Sequence, residues 1–429
     1  MSQYVKYLNA EEFDFAVVKN SKPVIVDFFS EECPPCDVLA PIFEKMAEKY
    51  HEHIDFVKIF RQGNRELAQS LNVTGSPTVL FYQNGKEVGE RLTGFMTKPQ
   101  VRMAIESILG DVLPPATIER VDCDLLILGA GPAGLTAGIY AGRAKLSTVI
   151  LEESICGGQA GSTFHVANYS GTPGTISGKE LAENMRQQAL SFGARIDDLK
   201  EIFQVDLTGP VKYVKTDDAE YYAKAVILAS GARPRALPAI GADDYKGRGI
   251  HYCATCDGAM YEGAEVAVMG GGSAAIEEAV FLTRFAKHVT IIHRREEFRC
   301  ASIELEEAQA NEKISFLTNR VVKEVKGGAH SLTEVILEHV KTGESEVLKV
   351  DGAFVYIGND PQTKLFRDQL AVDENGYLIA GEDCVTGLPG VFAAGDVRTK
   401  NVRQIATAVA DGAVAAIGAE KFITAQEKH

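Results

Sequence analysis

The stretch CDLLILGAGPAGLTAGIYAGRAKLSTVILEES, residues 123–154, constrains the fold more than any other part of the chain. An apolar run of strand length meets a turn, Gly129-Ala-Gly131-Pro132-Ala133-Gly134. Helix-forming residues follow, then a second apolar strand that ends in an acid, Glu152. The glycines permit a tight turn and let helix-start amides approach a pyrophosphate, while the carboxylate can hold ribose hydroxyls. The pattern predicts a βαβ unit that binds a dinucleotide. It returns in degenerate form as EVAVMGGGSAAIEEAVFLTRFAKHVTIIHRREEFR, residues 265–299, with Gly270, Gly272, Ser273 and Ala274 in the turn. No acid ends the second strand of this copy. His293, Arg294, Arg295 and Arg299 stand there instead, where the 2′-phosphate of NADP would sit, because arginine favours phosphate by charge and by fork geometry. Two nucleotide-binding domains are expected, the second using NADPH.

A third segment, GVFAAGDVRTKNVRQIATAVADGAVAA, joins an apolar strand to Gly395-Asp396 and then to a helix of small residues. An aspartate at a strand end can bond a ribityl hydroxyl, and a helix start aimed at an isoalloxazine ring stabilises its reduced anionic form. Beside the first glycine turn, the segment reads as flavin machinery.

Two Cys-x-x-Cys pairs mark a different chemistry: Cys33-Pro-Pro-Cys36 and Cys253-Ala-Thr-Cys256. Four-cysteine zinc sites usually place their pairs about 15–20 residues apart, far closer than these. Each pair also has its own context. The first follows the strand-like KPVIVDFF and opens the helix-like CDVLAPIFEKMAEKY, where the helix dipole favours a thiolate. Both read as redox dithiols.

Residues 1–108 alternate strand and helix signals, with a hairpin turning at Asn84-Gly85 and a closing helix at TKPQVRMAIESIL. Residues 109–120, with Pro114-Pro115, form a stiff linker. The chain carries 44 basic and 59 acidic residues, net −15, which argues against nucleic-acid binding. No secretory signal and no apolar stretch of membrane-spanning length is seen. Cysteines arranged as redox pairs and not as staples suggest the cytoplasm.

These motifs together resemble a known family. GAGPAGL, CGGQ, ILASGARP, GRGIHYCATCDG, HRREEFR, FVYIGNDP and GVFAAGDV with RQIATA make residues 120–429 similar to the low-molecular-weight thioredoxin reductases. Asp27, Cys33-Pro-Pro-Cys36, Lys58, GSPT with Pro77, and Gly94 make residues 1–108 similar to thioredoxin. The resemblance implies an α/β chain: an N-terminal thioredoxin fold, then two Rossmann-like three-layer domains. FAD would be bound by residues 121–234 and 362–429, with an NADPH domain, 235–361, inserted between them. It further implies FAD contacts from Gly129, Gly131, Pro132, Ala133, Gly134, Glu152, Gly158, Gln159, Asn168, Ala229, Ser230, Gly231, Gly395, Asp396, Arg403, Gln404 and Ile405. NADPH contacts would come from Gly270, Gly272, Ser273, Ala274, Glu277, His293, Arg294, Arg295, Arg299 and Ile357.

By the same resemblance, electrons would pass from NADPH through FAD to Cys253–Cys256, then to Cys33–Cys36 and to client disulfides. Cys256 would lie nearer the flavin, Cys253 would attack, and Asp257 would move the proton. Cys33 would be the exposed nucleophile and Cys36 the resolving thiol. Buried Asp27, paired with Lys58, would mediate proton transfer beside a cis-Pro77. A homodimer and disulfide-bearing clients are implied. Nicotinamide and the second pair cannot share one flavin face, so a hinge rotation is expected near 234–236 and 361–363. The linker, roughly 20 Å end to end if flexible and about 40 Å extended, would keep the pairs at effective millimolar concentration, or reach the partner subunit of the dimer instead.

Some residues depart from the family pattern. Glu32 and Pro34 replace the usual Trp and Gly around Cys33, and the chain has no Trp. Fewer amide donors and an added carboxylate are expected to raise the Cys33 thiol pKa. Ser273-Ala274 replaces a more polar pair in the NADPH turn. A peroxiredoxin-reducing flavoprotein, a ferredoxin-dependent reductase and a redox sensor or docking protein stand as alternative readings.

Overall fold

The computed structural model describes residues 3–31, 33–94, 96–110, 118–161, 163, 166–328 and 331–427, the side chains of Pro34, Thr255 and Cys256 excepted. The readings on Glu32, on the Pro34 side chain, on linker residues 111–117 and on the Cys256 thiol lie outside these. Two compact units divide the chain. One is Met1–Cys123 with Leu151–Ile155 and Ile196–Lys224; the other is Asp124–Ile150 with Cys156–Arg195 and Ala225–His429.

The first unit is built on strands β1 (Val5–Leu8), β2 (Val24–Phe29), β3 (Asp55–Phe60), β4 (Thr78–Gln83), β5 (Lys86–Glu87) and β6 (Leu92–Thr93). Their order is β1-β3-β2-β4-β5, with β6 also on β4. The ladders β1–β3 and β3–β2 are parallel, and β4 runs antiparallel to β2, β5 and β6. The β4–β5 hairpin turns at Asn84 and Gly85, with φ of 53° and 76°, the primed turn whose twist suits a hairpin. The helices are α1 (Ala10–Phe13), α2 (Pro34–Tyr50), α3 (Arg65–Ser70) and α4 (Lys98–Leu109).

Strand β2 reads VIVDFF and is covered on both faces, which explains its nearly unbroken apolar run. Val24, Val26 and Phe28 join Phe13, Val17 and Ala68 in one apolar cluster. Ile25 joins Leu39, Phe43, Met46, Val101 and Ile105, from α2 and α4, in the other. Alternation along a strand therefore places Asp27 on the α2 side.

That second cluster holds one residue from a distant part of the chain, Leu199, only 3% exposed and with φ of 54°. Polar groups of the same unit surround it. Lys98 Nζ bonds Leu199 O at 2.5 Å and Asp217 Oδ2 at 2.7 Å. Arg102 grips Glu201 through Nε and Nη2 at 2.9 and 3.0 Å, and Lys45 Nζ reaches Asp198 O at 2.8 Å. Strands Ile202–Asp206, Lys212–Thr216 and Ala219–Leu228 back this segment as antiparallel ladders.

In the second unit the first glycine turn opens helix Pro132–Arg143, and the final helix, Ile405–Gln426, packs against it. The approach is close enough that a Cβ on Gly412 would overlap Ala133 O. A five-stranded parallel sheet runs Ile250–His251, Gly352–Tyr356, Glu265–Gly270, His288–His293, Ile314–Thr318. The second glycine turn joins its strand Glu265–Gly270 to helix Ser273–Leu282, the expected βαβ repeat. Ala232–Pro234 and Asn359–Pro361 pair antiparallel, so the two segments where a hinge was expected lie side by side. Among the described residues no helix is long and apolar enough to cross a membrane.

Candidate active site

Cys33 is the N-cap of α2 and is disulfide-bonded to Cys36, which is 5% exposed. Pro34 and Pro35 take the first two helical positions and lack N–H groups. The first amide left for sulfur is Cys36 N, 3.3 Å from Cys33 Sγ. The Ser76–Pro77 peptide is cis, and Ser76 O lies 3.5 Å from Cys33 Sγ. Ser76 Oγ in turn meets Ser30 Oγ at 2.7 Å and Arg61 Nε at 2.9 Å, a support not anticipated from the sequence.

Asp27 and Lys58 face each other in the β2–β3 register, and Lys58 Nζ lies 3.3 Å from Asp27 Oδ2. Asp27 is fully buried, and burial pushes its pKa up to about 6 despite the opposing charge of Lys58. The carboxyl thus titrates near neutrality, where it can take or give a proton during disulfide chemistry.

The second pair sits in the other unit. Cys253 is disulfide-bonded and is the N-cap of the short helix Ala254–Asp257. Asp257, one residue beyond the pair, is half-buried and ion-paired with His251 at 3.1 Å. The amide of Ala254 donates to Tyr356 Oη at 2.6 Å, fixing the turn to the parallel sheet.

The flavin expectation is tested by what the glycine turn and the Gly395-Asp396 corner offer. A Cβ on Gly129 or Gly134 would overlap Ala229 O or Gly129 O, so those two glycines serve packing. Gly131 is different: the nearest atom to its Cβ would be Gly158 Cα, 3.9 Å away, and Gly231 has open space around it. Pro132 and Ala133 follow in the first turn of the helix. Gly158, with φ of 54°, and Gln159, bonded to Ala232 O, line up in the next segment. Ser230 Oγ donates to Gln362 O at 2.7 Å, and Asn168 Nδ2 donates to Gln404 Oε1 at 3.3 Å. Gln404 caps the last helix, which begins at Ile405.

Asp396 Oδ1 and Arg403 Nε are buried without a hydrogen-bond partner among the described residues. Buried polar atoms normally have partners, so these two point to a missing ligand. Burial also raises the Asp396 pKa, a cost that a bonded hydroxyl would offset. The residues fit a flavin dinucleotide. Glu152 follows strand Thr148–Leu151 and accepts from Ser154 N and Oγ, both at 2.9 Å.

One supporting residue escaped the sequence reading. Asp411 accepts from Gly395 N at 2.9 Å, from Arg398 Nη2 at 2.7 Å and from Lys400 Nζ at 2.9 Å. Burial opposes its charge, yet these cations hold its pKa below the ordinary value. A lone acid in the small-residue helix was the signal available.

At the second glycine turn Gly270 has φ of 154°, and Gly272 caps helix Ser273–Leu282 with only Arg299 O near its Cβ position, at 3.8 Å. Ser273 and Ala274 lie in the first turn, Glu277 is exposed and Ile357 packs on an apolar cluster. Arg294, Arg295 and Arg299 are exposed, with no ion pair among the described residues. His293 is buried, its Nε2 3.1 Å from Glu297 O, and burial lowers its pKa. Its imidazole shapes the loop, leaving three arginines for an anion.

Residues 123–412 match the family described as "Pyridine nucleotide-disulphide oxidoreductase", and residues 4–107 match "Thioredoxin". The thioredoxin reductase of Mycolicibacterium smegmatis is 46% identical over 305 residues, 71% of this chain and 97% of that protein. The bifunctional thioredoxin reductase/thioredoxin of Mycobacterium leprae is 44% identical over 302 residues, 70% of this chain and 66% of that one. The solved thioredoxin reductase of Streptococcus pyogenes aligns with a TM-score of 0.66 and 42% identity, covering 71% of this chain and 99% of its own. The chain belongs to the pyridine nucleotide-disulphide oxidoreductase family, similar over that region to thioredoxin reductases, and carries a thioredoxin domain ahead of it.

Proposed function

We propose that the chain is an NADPH-dependent thioredoxin-disulfide reductase that reduces its own thioredoxin domain and, through it, client proteins with disulfides. The observation that carries this reading is the presence, in one chain, of two disulfide-bonded cysteines that each cap a helix, Cys33 and Cys253. Each stands beside a carboxyl placed to move protons. The first lies in a thioredoxin domain and the second in the oxidoreductase region.

The oxidoreductase region would be organised as expected from the sequence: residues 121–234 and 362–429 for FAD, 235–361 for NADPH. Gly131, Asp396 and Arg403 would hold the flavin, and Gly272 with Arg294, Arg295 and Arg299 the phosphates of NADPH. Bound FAD would supply two-electron transfer between the nicotinamide and a disulfide. The chain's own residues do the rest. Asp257 exchanges the proton at the Cys253 pair, and Asp27 does so beneath Cys36. Cys33, half-buried where Cys36 is buried, presents the sulfur that clients meet. A homodimer and a cytoplasmic setting complete the reading; the Cys300 and Cys384 thiols, outside any disulfide, suit a reducing compartment.

The test is NADPH consumption by the full chain with insulin as the disulfide client. Turnover is expected in the intact chain, with loss in Cys33→Ser and recovery on adding free thioredoxin. NADPH that reduces the flavin while Cys33–Cys36 stays oxidised would overturn the reading.

A further inference from the structure

His251 ends the short strand Ile250–His251, two residues before Cys253, and is 5% exposed. Nδ1 lies 3.1 Å from Asp257 Oδ2, and Nε2 lies 2.7 Å from Tyr261 Oη. Phe354 stacks on the ring at 5.3 Å, and Tyr261 meets it edge-on at 5.4 Å. A buried imidazole held by a carboxylate on one nitrogen and a phenol on the other has a fixed orientation and a defined tautomer. If Nδ1–H donates to the carboxyl, Nε2 of the neutral ring is left to accept from the tyrosine hydroxyl.

Tyr261 keeps its proton. Burial, with the nearby Asp257 and Asp351 carboxylates, pushes its pKa up to about 12. The other titratable groups around this cluster are Tyr356 on Gly352–Tyr356 and Glu278 on Ser273–Leu282. No lysine or arginine is paired with Asp257 among the described residues; the imidazole is the group placed against its carboxyl.

We propose that His251 is a positioning residue for proton transfer at the Cys253–Cys256 pair, holding the Asp257 carboxyl in place through Nδ1. The inference rests on the reading of Asp257 as the acid–base group. When the dithiol reduces a client disulfide, one S–S bond forms between Cys253 and Cys256 and one breaks in the client. The electron pair moves from the dithiol to the client sulfurs, and two protons follow. Asp257 takes one from a thiol of the pair and hands it to the leaving sulfur; the other equilibrates through water. With Oδ2 held by Nδ1, Oδ1 is the oxygen left free to exchange a proton.

The experiment follows a single turnover from the NADPH-reduced full chain to a disulfide client, across pH, by the return of oxidised flavin absorbance. The anaerobic flavin-reduction phase and the melting temperature are measured beside it. His251→Leu is expected to slow the transfer about tenfold and leave flavin reduction unchanged. His251→Asn, whose amide can still donate to Asp257, is expected to recover most of that rate at fixed pH. The pH profile of the transfer is expected to differ between the native chain and His251→Asn, which lacks an ionisable ring. Unchanged profiles in both variants, with only a lower melting temperature, would reduce His251 to a packing residue and overturn the inference. Asp257→Asn separates the layers. Slow transfer there with unaffected His251 variants sinks the His251 role alone, whereas normal transfer removes Asp257 from proton transfer and the proposal with it.

Discussion

At the scale of single residues the thioredoxin site turns on Asp27, a carboxyl with no exposure whose pKa stands at about 6 against an ordinary 3.8. The sign follows from linkage. In the unfolded chain the acid ionises near pH 4, while in the folded chain it holds its proton to about pH 6. Stability therefore falls as pH rises across that window and stays lower above it. Asp27→Asn removes the penalty, so the first unit is expected to gain up to about 3 kcal/mol above pH 6 and nothing below pH 4. Hydrogen exchange of the β2 and β3 amides in the full chain reads this directly. A gain that persists unchanged at pH 4 would mean that burial of the carboxyl is not its source. The same substitution is expected to slow reduction of clients, since on the proposed function it deletes the group that exchanges the proton at the Cys33–Cys36 pair. Both residues of the pair were visible in the sequence, but their register, Asp27 opposite Lys58, comes from strand pairing that the sequence does not spell out.

At the scale of elements, two helix starts divide the labour of their glycines between packing and ligand. Gly131 and Gly272 are N-caps in extended backbone, with φ of −76° and −102°, that any residue tolerates, and each has room for a Cβ on the protein side. On the proposed function, what a methyl group would meet there is the phosphate of a bound cofactor. Gly131→Ala is expected to keep the melting temperature of the cofactor-stripped protein and to lose flavin, read as absorbance per chain after purification. Gly134→Ala should instead fail at the level of folding, because its Cβ would overlap Gly129 O. Equal flavin content in Gly131→Ala and the native chain would show that no pyrophosphate approaches that amide. At the second turn, Arg294→Ala with Arg295→Ala is expected to raise the KM for NADPH at least tenfold and leave that for NADH little changed. Both glycine turns, the arginines and the cysteine pairs were legible because they are local, each recorded within a few residues. Asp411 was not. Its three partners, Gly395, Arg398 and Lys400, lie 11 to 16 residues away and meet it only once the last helix packs.

At the scale of the whole molecule, the sequence pattern sets the thioredoxin domain on a linker, residues 109–120, and offers no other contact for it. Within the first unit it is fastened. Leu199 enters the apolar cluster formed by α2 and α4, and Lys98 and Arg102 on α4 clasp Asp217 and Glu201. Lys98 is 2% exposed, and the side chains of Asp217 and Glu201 are each 8% exposed, so these are desolvated pairs, not surface contacts. Removing one member of such a pair strands the other charge, at a cost of about 3–5 kcal/mol. Partners some hundred residues apart carry no joint signature in one sequence, which is why the sequence offered only the linker. The clasp has a specific test. Arg102→Glu is expected to expose the α4 amides to hydrogen exchange in the full chain, and Glu201→Arg alone should do the same. The double exchange, Arg102→Glu with Glu201→Arg, restores an opposite pair and is expected to recover most of the protection. Protection that survives both single variants would mean that Leu199 and the apolar cluster hold the domain without the ion pairs. If Leu199→Asp then also left α4 protected, the thioredoxin domain would not depend on the clasp at all, and tether behaviour would be the better description.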